Sequence, residues 1–209
     1  MNGRTNRLIM IALTFAAGGI LLVGGVLLGT FLQMRILTEG TPGTATIGGP
    51  FTLVATDGQK VSDQTYRGKW VLIYFGYTYC PDACPTALNN ISVALEKLGP
   101  DAGKLQTFFV TVDPQRDTQE VMTDYLKPFD SRILGLTGTK AQIDDVIKEF
   151  HLYASAEKSE GHGNDYYVSH SSYIYLMDPH GSFVDVIHGN AVGDEIAIWV
   201  RKVMRDAGS

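Results

Sequence analysis

Residues 70–85 read WVLIYFGYTYCPDACP, and this stretch decides the fold. Trp70 to Tyr77 is an unbroken apolar, β-branched and aromatic run, which suits a strand buried on both faces. Cys80 and Cys84, the chain's two cysteines, follow directly in the sequence. Then Leu88, Ile91, Leu95 and Leu98 recur at helical spacing until Gly99-Pro100 stops them, which predicts a helix over 85–98. Both thiols therefore fall at a strand-to-helix corner. Proline disfavours α geometry in the residue before it and suits the first helical position. Cys84 is accordingly expected in the loop at the helix mouth, where exposed N–H groups and the helix dipole favour thiolate.

Working outward from this corner, 51–54 and 60–61 around Asp57-Gly58 read as a hairpin with a tight turn. On the other side, 106–112 (QTFFVTV) is a second buried strand. A helix over 117–127 follows, with Asp117 and Glu120 spaced as a capping box, and another over 141–150. Strands at 171–177 and 183–188 flank the turn Asp178-Pro179-His180-Gly181, and 193–205 is a closing helix. A βαβ unit followed by an antiparallel hairpin and a last helix predicts an α/β, thioredoxin-like fold with an N-terminal β-hairpin. A flavodoxin-like sheet would alternate strand and helix to the end.

Leu8 to Met34 carries no charge. As a helix it would reach roughly 40 Å, enough to cross a bilayer core of about 30 Å with some tilt. A cleaved signal peptide usually has an apolar stretch of only about 7–15 residues. Arg4 and Arg7 before the run place the N-terminus inside the cytoplasm by the positive-inside bias. Residues 1–7 are thus read as a cytoplasmic N-terminus, 8–34 as a single transmembrane anchor, 35–48 as a Gly/Thr/Pro-rich linker and 49–209 as the folded domain outside the membrane. Seven residues before the run leave no room for a mitochondrial leader, so a bacterial inner membrane with a periplasmic domain is expected. Of 17 Lys and Arg, Arg4, Arg7 and Arg35 precede Ile36, which leaves 14 against 22 Asp and Glu, a net charge of −8. Such a domain has no basic footprint for nucleic acid.

The cysteine pair admits three readings. A structural disulfide across so short a loop would remove little chain entropy. A catalytic dithiol and a metal site both suit the corner, although redox motifs there usually space their cysteines by two residues, not three. His170 favours metal. Thioredoxin-type oxidoreductases carry a proline at the start of the strand facing the cysteines, whereas Val168 to Tyr173 has no proline and offers a histidine. Two thiolates and an imidazole suit Cu(I), or Cu(II) with an added oxygen ligand, and zinc also accepts this set. His151, His162, His180 and His188 read as surface, loop or turn residues.

Five runs carry a closer resemblance: residues 68–78 (GKWVLIYFGYT), 80–85 (CPDACP), 112–118 (VDPQRDT), 135–139 (GLTGT) and 165–171 (DYYVSHS). From about Gly49 to about Met204 the chain resembles the Sco/SenC family of copper proteins, which serve assembly of the copper site of cytochrome c oxidase. The resemblance implies a copper ion, Cu(I) or Cu(II), held by Cys80, Cys84 and His170, with Asp113 acting close to the metal rather than ligating it. It implies a membrane-anchored metallochaperone, not an enzyme, whose partner is cytochrome c oxidase subunit II, with a periplasmic copper chaperone or a thioredoxin-like reductant upstream. The rival is a thiol–disulfide reductase that keeps the subunit's cysteines reduced and uses Cys80 and Cys84 as catalytic residues. Ser169 departs from the family, in which many members carry Asp beside the histidine.

Overall fold

The computed structural model describes Gly25 and residues 46–158 and 166–207. The proposed anchor, apart from Gly25, and His162 lie outside them. Among the described residues no helix is long and apolar enough to cross a membrane.

Among the described residues nine strands and four α-helices of defined extent follow in chain order: β1 (Thr52–Ala55), β2 (Lys60–Ser62), β3 (Trp70–Gly76), α1 (Ala83–Leu98), β4 (Leu105–Thr111), α2 (Gln119–Leu126), β5 (Ile133–Thr137), α3 (Lys140–Glu149), β6 (Ala154–Lys158), β7 (Tyr166–His170), β8 (Tyr173–Met177), β9 (Phe183–His188) and α4 (Gly193–Asp206), with a 3-10 helix at Gly99–Lys104. Seven strands form one sheet in the order β2-β1-β5-β4-β3-β8-β9, while β6 and β7 form a separate two-stranded sheet. β3, β4 and β5 run parallel; β1 and β8 flank them antiparallel. This is the expected thioredoxin-like α/β arrangement, with the N-terminal hairpin turning at Gly58 in a positive-φ conformation.

Alternation along the central strands sends side chains to two layers. On one face Tyr74 and Phe109 meet α1 and α2, through Cys84 and Tyr125. On the other, Phe75 meets Phe150 at the end of α3. Helix α1 buries Cys84, Ala87, Leu88, Ile91, Ala94, Leu95 and Leu98, and it packs against α4.

The structure departs from the sequence reading in four places. First, α1 begins at Ala83, so Cys84 is inside the first helical turn. Pro85 fits there because the third helical N–H has no intrahelical partner anyway. Second, Thr118 rather than Asp117 caps α2, its Oγ1 accepting from Val121 N. Third, β5 (ILGLT) is a parallel strand whose short length and interior Gly135 hide it from periodicity. Fourth, β6 and β7 form a polar hairpin, and His170 ends β7 instead of directly preceding the strand that starts at Tyr173.

His151 follows α3 with φ 51°, while Leu152 N donates to Ile147 O and His151 N to Lys148 O. These bonds form a Schellman ending, in which the left-handed position favours glycine. Left-handed geometry costs an L-residue about 1–2 kcal/mol, and glycine's extra freedom when unfolded offsets part of that. His151→Gly should therefore stabilise the domain by about 0.5–1 kcal/mol in urea denaturation. A loss of stability would contradict this account of the α3 ending.

Candidate metal and thiol site

The site lies at the C-terminal ends of β3 and β4, the usual place for function in a parallel sheet. β3 ends at Gly76, where a Cβ would come within 2.7 Å of Cys84 Sγ and 2.8 Å of Phe109. Glycine is thus needed for the thiol to reach the sheet. The chain continues through Tyr77 and Thr78 into the cysteine loop. Cys84 is fully buried and Cys80 half-buried, and both are free thiols. Cys84 N donates to Cys80 Sγ at 3.3 Å, so this sulfur serves the first turn of α1 as an acceptor that the Asp82 side chain does not supply.

His170 comes to the same corner from β7. Its Nδ1 lies 2.9 Å from the carbonyl of Ser171, and its Nε2 lies 3.7 Å from Cys84 Sγ. A carbonyl only accepts, so Nδ1 carries a proton, and Nε2 is the ring nitrogen turned toward the sulfur. The ring also meets Tyr77 edge-on, with centroids 5.9 Å apart. Ser169 is exposed and alternates to the opposite face of β7, away from the cysteines.

The two thiols are unequal. The Cys80 thiol is pulled down to about 4, chiefly by its hydrogen bond with Cys84, against the opposing effect of burial, with His170 and the Cys84 N–H adding to the lowering. Cys84 is pushed up by the same bond, by burial and by the negative charge on Cys80. The pair thus holds one proton, on the buried sulfur. Tyr74, buried behind it, donates to Cys84 Sγ at 3.9 Å and lies 3.4 Å from Ser172 Oγ.

Asp113 follows β4 and is buried. Its Oδ2 accepts from Arg116 Nε at 2.5 Å and its Oδ1 from Tyr166 OH at 2.7 Å. Both carboxylate oxygens are therefore engaged by side chains that flank the corner.

Several residues of the site are not evident from motif reading. Asp117 is fully buried and accepts from Thr78 N at 3.0 Å, Thr78 Oγ1 at 2.5 Å and Thr111 Oγ1 at 2.6 Å. Its own carbonyl accepts from Thr137 Oγ1 at 2.7 Å. One residue thereby joins the ends of β3, β4 and β5. Burial raises its carboxyl, and the three hydrogen bonds work the other way. Arg116 lies over the rings of Tyr166, Tyr79 and Tyr77, with 3.7, 4.7 and 5.7 Å to the centroids. The available signal was a polar turn, DPQRD, directly after a buried strand. Of the other histidines, His188 is exposed against Tyr173, and His151 and His180 lie in turns.

The donor set fits a soft ion. Two ligands each about 2.0–2.3 Å from a shared ion sit roughly 3.5–3.8 Å apart, and the Cys84–His170 spacing falls in that range. Among the described residues, however, no three His, Cys, Asp or Glu side chains already form a group able to take an ion unmoved.

Alkylation of Cys80 should stay nearly constant from about pH 8 to about pH 5, because thiolate is the reactive form and its pKa is about 4. An ordinary thiol, with a pKa of about 8.5, would lose tenfold per pH unit over that range, and such a slope would refute the assignment. Asp117→Ala leaves the buried Thr111 hydroxyl and the part-buried N–H and hydroxyl of Thr78 without their acceptor. It should cost about 1–3 kcal/mol in denaturant unfolding, the usual cost of a buried group left unsatisfied.

Comparison with known proteins agrees with this arrangement. The SCO1/SenC family model matches residues 39–205. The Sco1 protein of Schizosaccharomyces pombe is 40% identical over 159 residues, covering 75% of this chain and 60% of that protein. The chain thus spans less than two thirds of that relative's length. The copper-bound ScoI of Bradyrhizobium japonicum superposes with a TM-score of 0.70 at 42% identity, over 75% of this chain and 99% of that one. Copper-bound yeast Sco1 gives a TM-score of 0.69 at 37% identity, over 76% and 89%. A family match over most of the sequence, carried on a thioredoxin-like sheet with the two cysteines and the histidine at one corner, means that this chain belongs to the SCO1/SenC family.

Proposed function

We propose that this protein is a copper metallochaperone that takes Cu(I) or Cu(II) with Cys80, Cys84 and His170 and passes it to the dinuclear copper site of cytochrome c oxidase subunit II. The observation that carries this reading is Nε2 of His170 placed 3.7 Å from Cys84 Sγ, with Nδ1 committed to a backbone carbonyl. A ligating histidine is commonly oriented by such a bond. Copper-bound relatives of similar fold support the choice of metal over zinc. Copper is the cargo. Cys80 supplies a ready thiolate, Cys84 gives up the shared proton as the ion arrives, and His170 completes a three-ligand set. Oxidation of the pair to a disulfide would remove both thiolates, so loading requires the reduced form.

The charge-free run 8–34 is proposed as a single-pass anchor of a bacterial inner membrane, with residues 35–48 as linker and the domain from residue 49 in the periplasm. A second reading has its own support. The low Cys80 pKa and the adjacent proton-bearing Cys84 suit a thiol–disulfide reductase that prepares the subunit's cysteines.

Titration of the reduced, metal-free protein against a competing chelator separates the two. Tight one-to-one copper binding is expected, with zinc much weaker. His170→Ala should lose at least about tenfold in affinity, the smaller end of what even ligand-orienting groups cost. Binding indifferent to His170 would remove the three-ligand site and leave the reductase as the account of the cysteines.

A further inference from the structure

His170 is carried by a hairpin that the main sheet does not hold. β6 and β7 pair with each other alone, and an isolated two-stranded hairpin is marginal in water. At its base, Ser171 N donates to Tyr153 O and Tyr153 N to Ser171 Oγ. These bonds join the hairpin's two ends to each other. They do not fasten it to the cysteine loop.

Val168 of β7 packs into the core, and Arg116 adds the polar fastening to the cysteine corner. Its Nη1 donates to the Tyr166 carbonyl at 3.0 Å, and its guanidinium lies 3.7 Å from the centre of the Tyr166 ring. Nε is held by Asp113, whose other oxygen takes the Tyr166 hydroxyl. The same guanidinium reaches Tyr79, next to Cys80, and Tyr77, whose ring meets His170. One planar cation thus touches the hairpin, the cysteine loop and the ring beside the histidine. Among the described residues its buried Nη2 has no hydrogen-bond partner.

We infer that Arg116 is a positioning residue of the copper site: with Asp113 it straps β7 onto the cysteine corner, so that His170 is presented to the ion as a third ligand. This rests on the copper reading above. Asp113 accordingly acts on copper through Arg116 and Tyr166, by holding the hairpin, and not by reaching toward the ion.

The test has one arm without metal and one with it. In the metal-free full-length protein, Arg116→Gln should raise amide hydrogen exchange across residues 166–170 at least about tenfold, while the central strands keep their protection. In the copper arm, the same variant should lose about 10–100-fold in affinity, the usual cost of removing a group that orients a ligand. That loss should vanish in the His170→Ala background, and the nitrogen hyperfine signature of His170 in the Cu(II) spectrum should weaken in Arg116→Gln alone. Unchanged exchange in the hairpin overturns the strap. So does a copper loss that persists in full without His170, since Arg116 would then act on the cysteines or on the whole fold. If Arg116→Gln does not fold, Tyr166→Phe removes one bond of the strap and should move both readouts in the same direction by less, while Arg116→Lys, which lacks the planar fork, should not restore them. No change in either readout in Tyr166→Phe overturns the proposal. Failure of the copper reading itself is visible separately, as wild-type binding already indifferent to His170.

Discussion

The corner depends on one buried carboxylate. The oxygens of Asp117 are met not by a cation but by a backbone N–H and two threonine hydroxyls from the ends of β3 and β4. Burial without a counter-ion is costly, and hydrogen bonds to the charged form are what make it tolerable. The arrangement has a geometric consequence. Thr78, two residues before Cys80, is held at two points, so the chain leaves β3 along a fixed path. Gly76 lets that path run close enough to α1 for Cys84 Sγ to lie against the strand. The cysteine corner is rigid because the sheet beneath it is rigid.

His170 is held differently. It reaches the corner on a two-stranded sheet with a polar sequence, anchored at its base and strapped along its length by Arg116 and Asp113. The site is therefore assembled from two bodies of unequal stability. On the proposed reading this division suits a cargo ion. A site built wholly into the sheet would have to break sheet hydrogen bonds to let go, whereas a ligand on a separate hairpin can withdraw at the expense of the Arg116 strap and the packing of Val168.

How much of this the sequence disclosed depends on where each signal lives. β3 and β4 are strands buried on both faces, and an apolar run states that directly. The stripe through Leu88, Ile91, Leu95 and Leu98 states the helix. β5 is only five residues with a glycine inside, and its partners on both sides are distant in sequence, so its strand character is tertiary. β7 alternates in burial, but the exposed Tyr167 and the half-buried His170 mask this in the sequence, and β6 (ASAEK) has no large apolar residue to mark an inner face. Cys80, Cys84 and His170 were legible as chemistry because few other residue types bind soft metals. Asp117 was misread as a helix cap because a carboxylate before a helix looks the same whether it turns outward to the first turn or inward to three strand ends. Arg116 was legible only as part of the polar turn DPQRD; its role was hidden because the three tyrosines that meet on it come from positions 77, 79 and 166.

The two functional readings share a first step and part at the second sulfur. Cys80 is half-buried and thiolate, so it meets an incoming ion or an incoming disulfide first. A disulfide exchange then asks Cys84 to lose its proton and attack Cys80. An imidazole 3.7 Å from that sulfur can take the proton, so the place of His170 beside Cys84 serves both readings. A substrate sulfur carries its own polypeptide, and the fully buried Cys84 sulfur beside His170 leaves it no room. A bare ion has no such bulk, and the gap between that sulfur and Nε2 has the separation of two ligands on one metal. The bond from Nδ1 to Ser171, the edge of Tyr77 and the contacts of Arg116 all bear on the orientation of that ring. What separates the readings is therefore not the presence of the histidine but the space at Cys84, which suits an ion and not the sulfur of a second polypeptide.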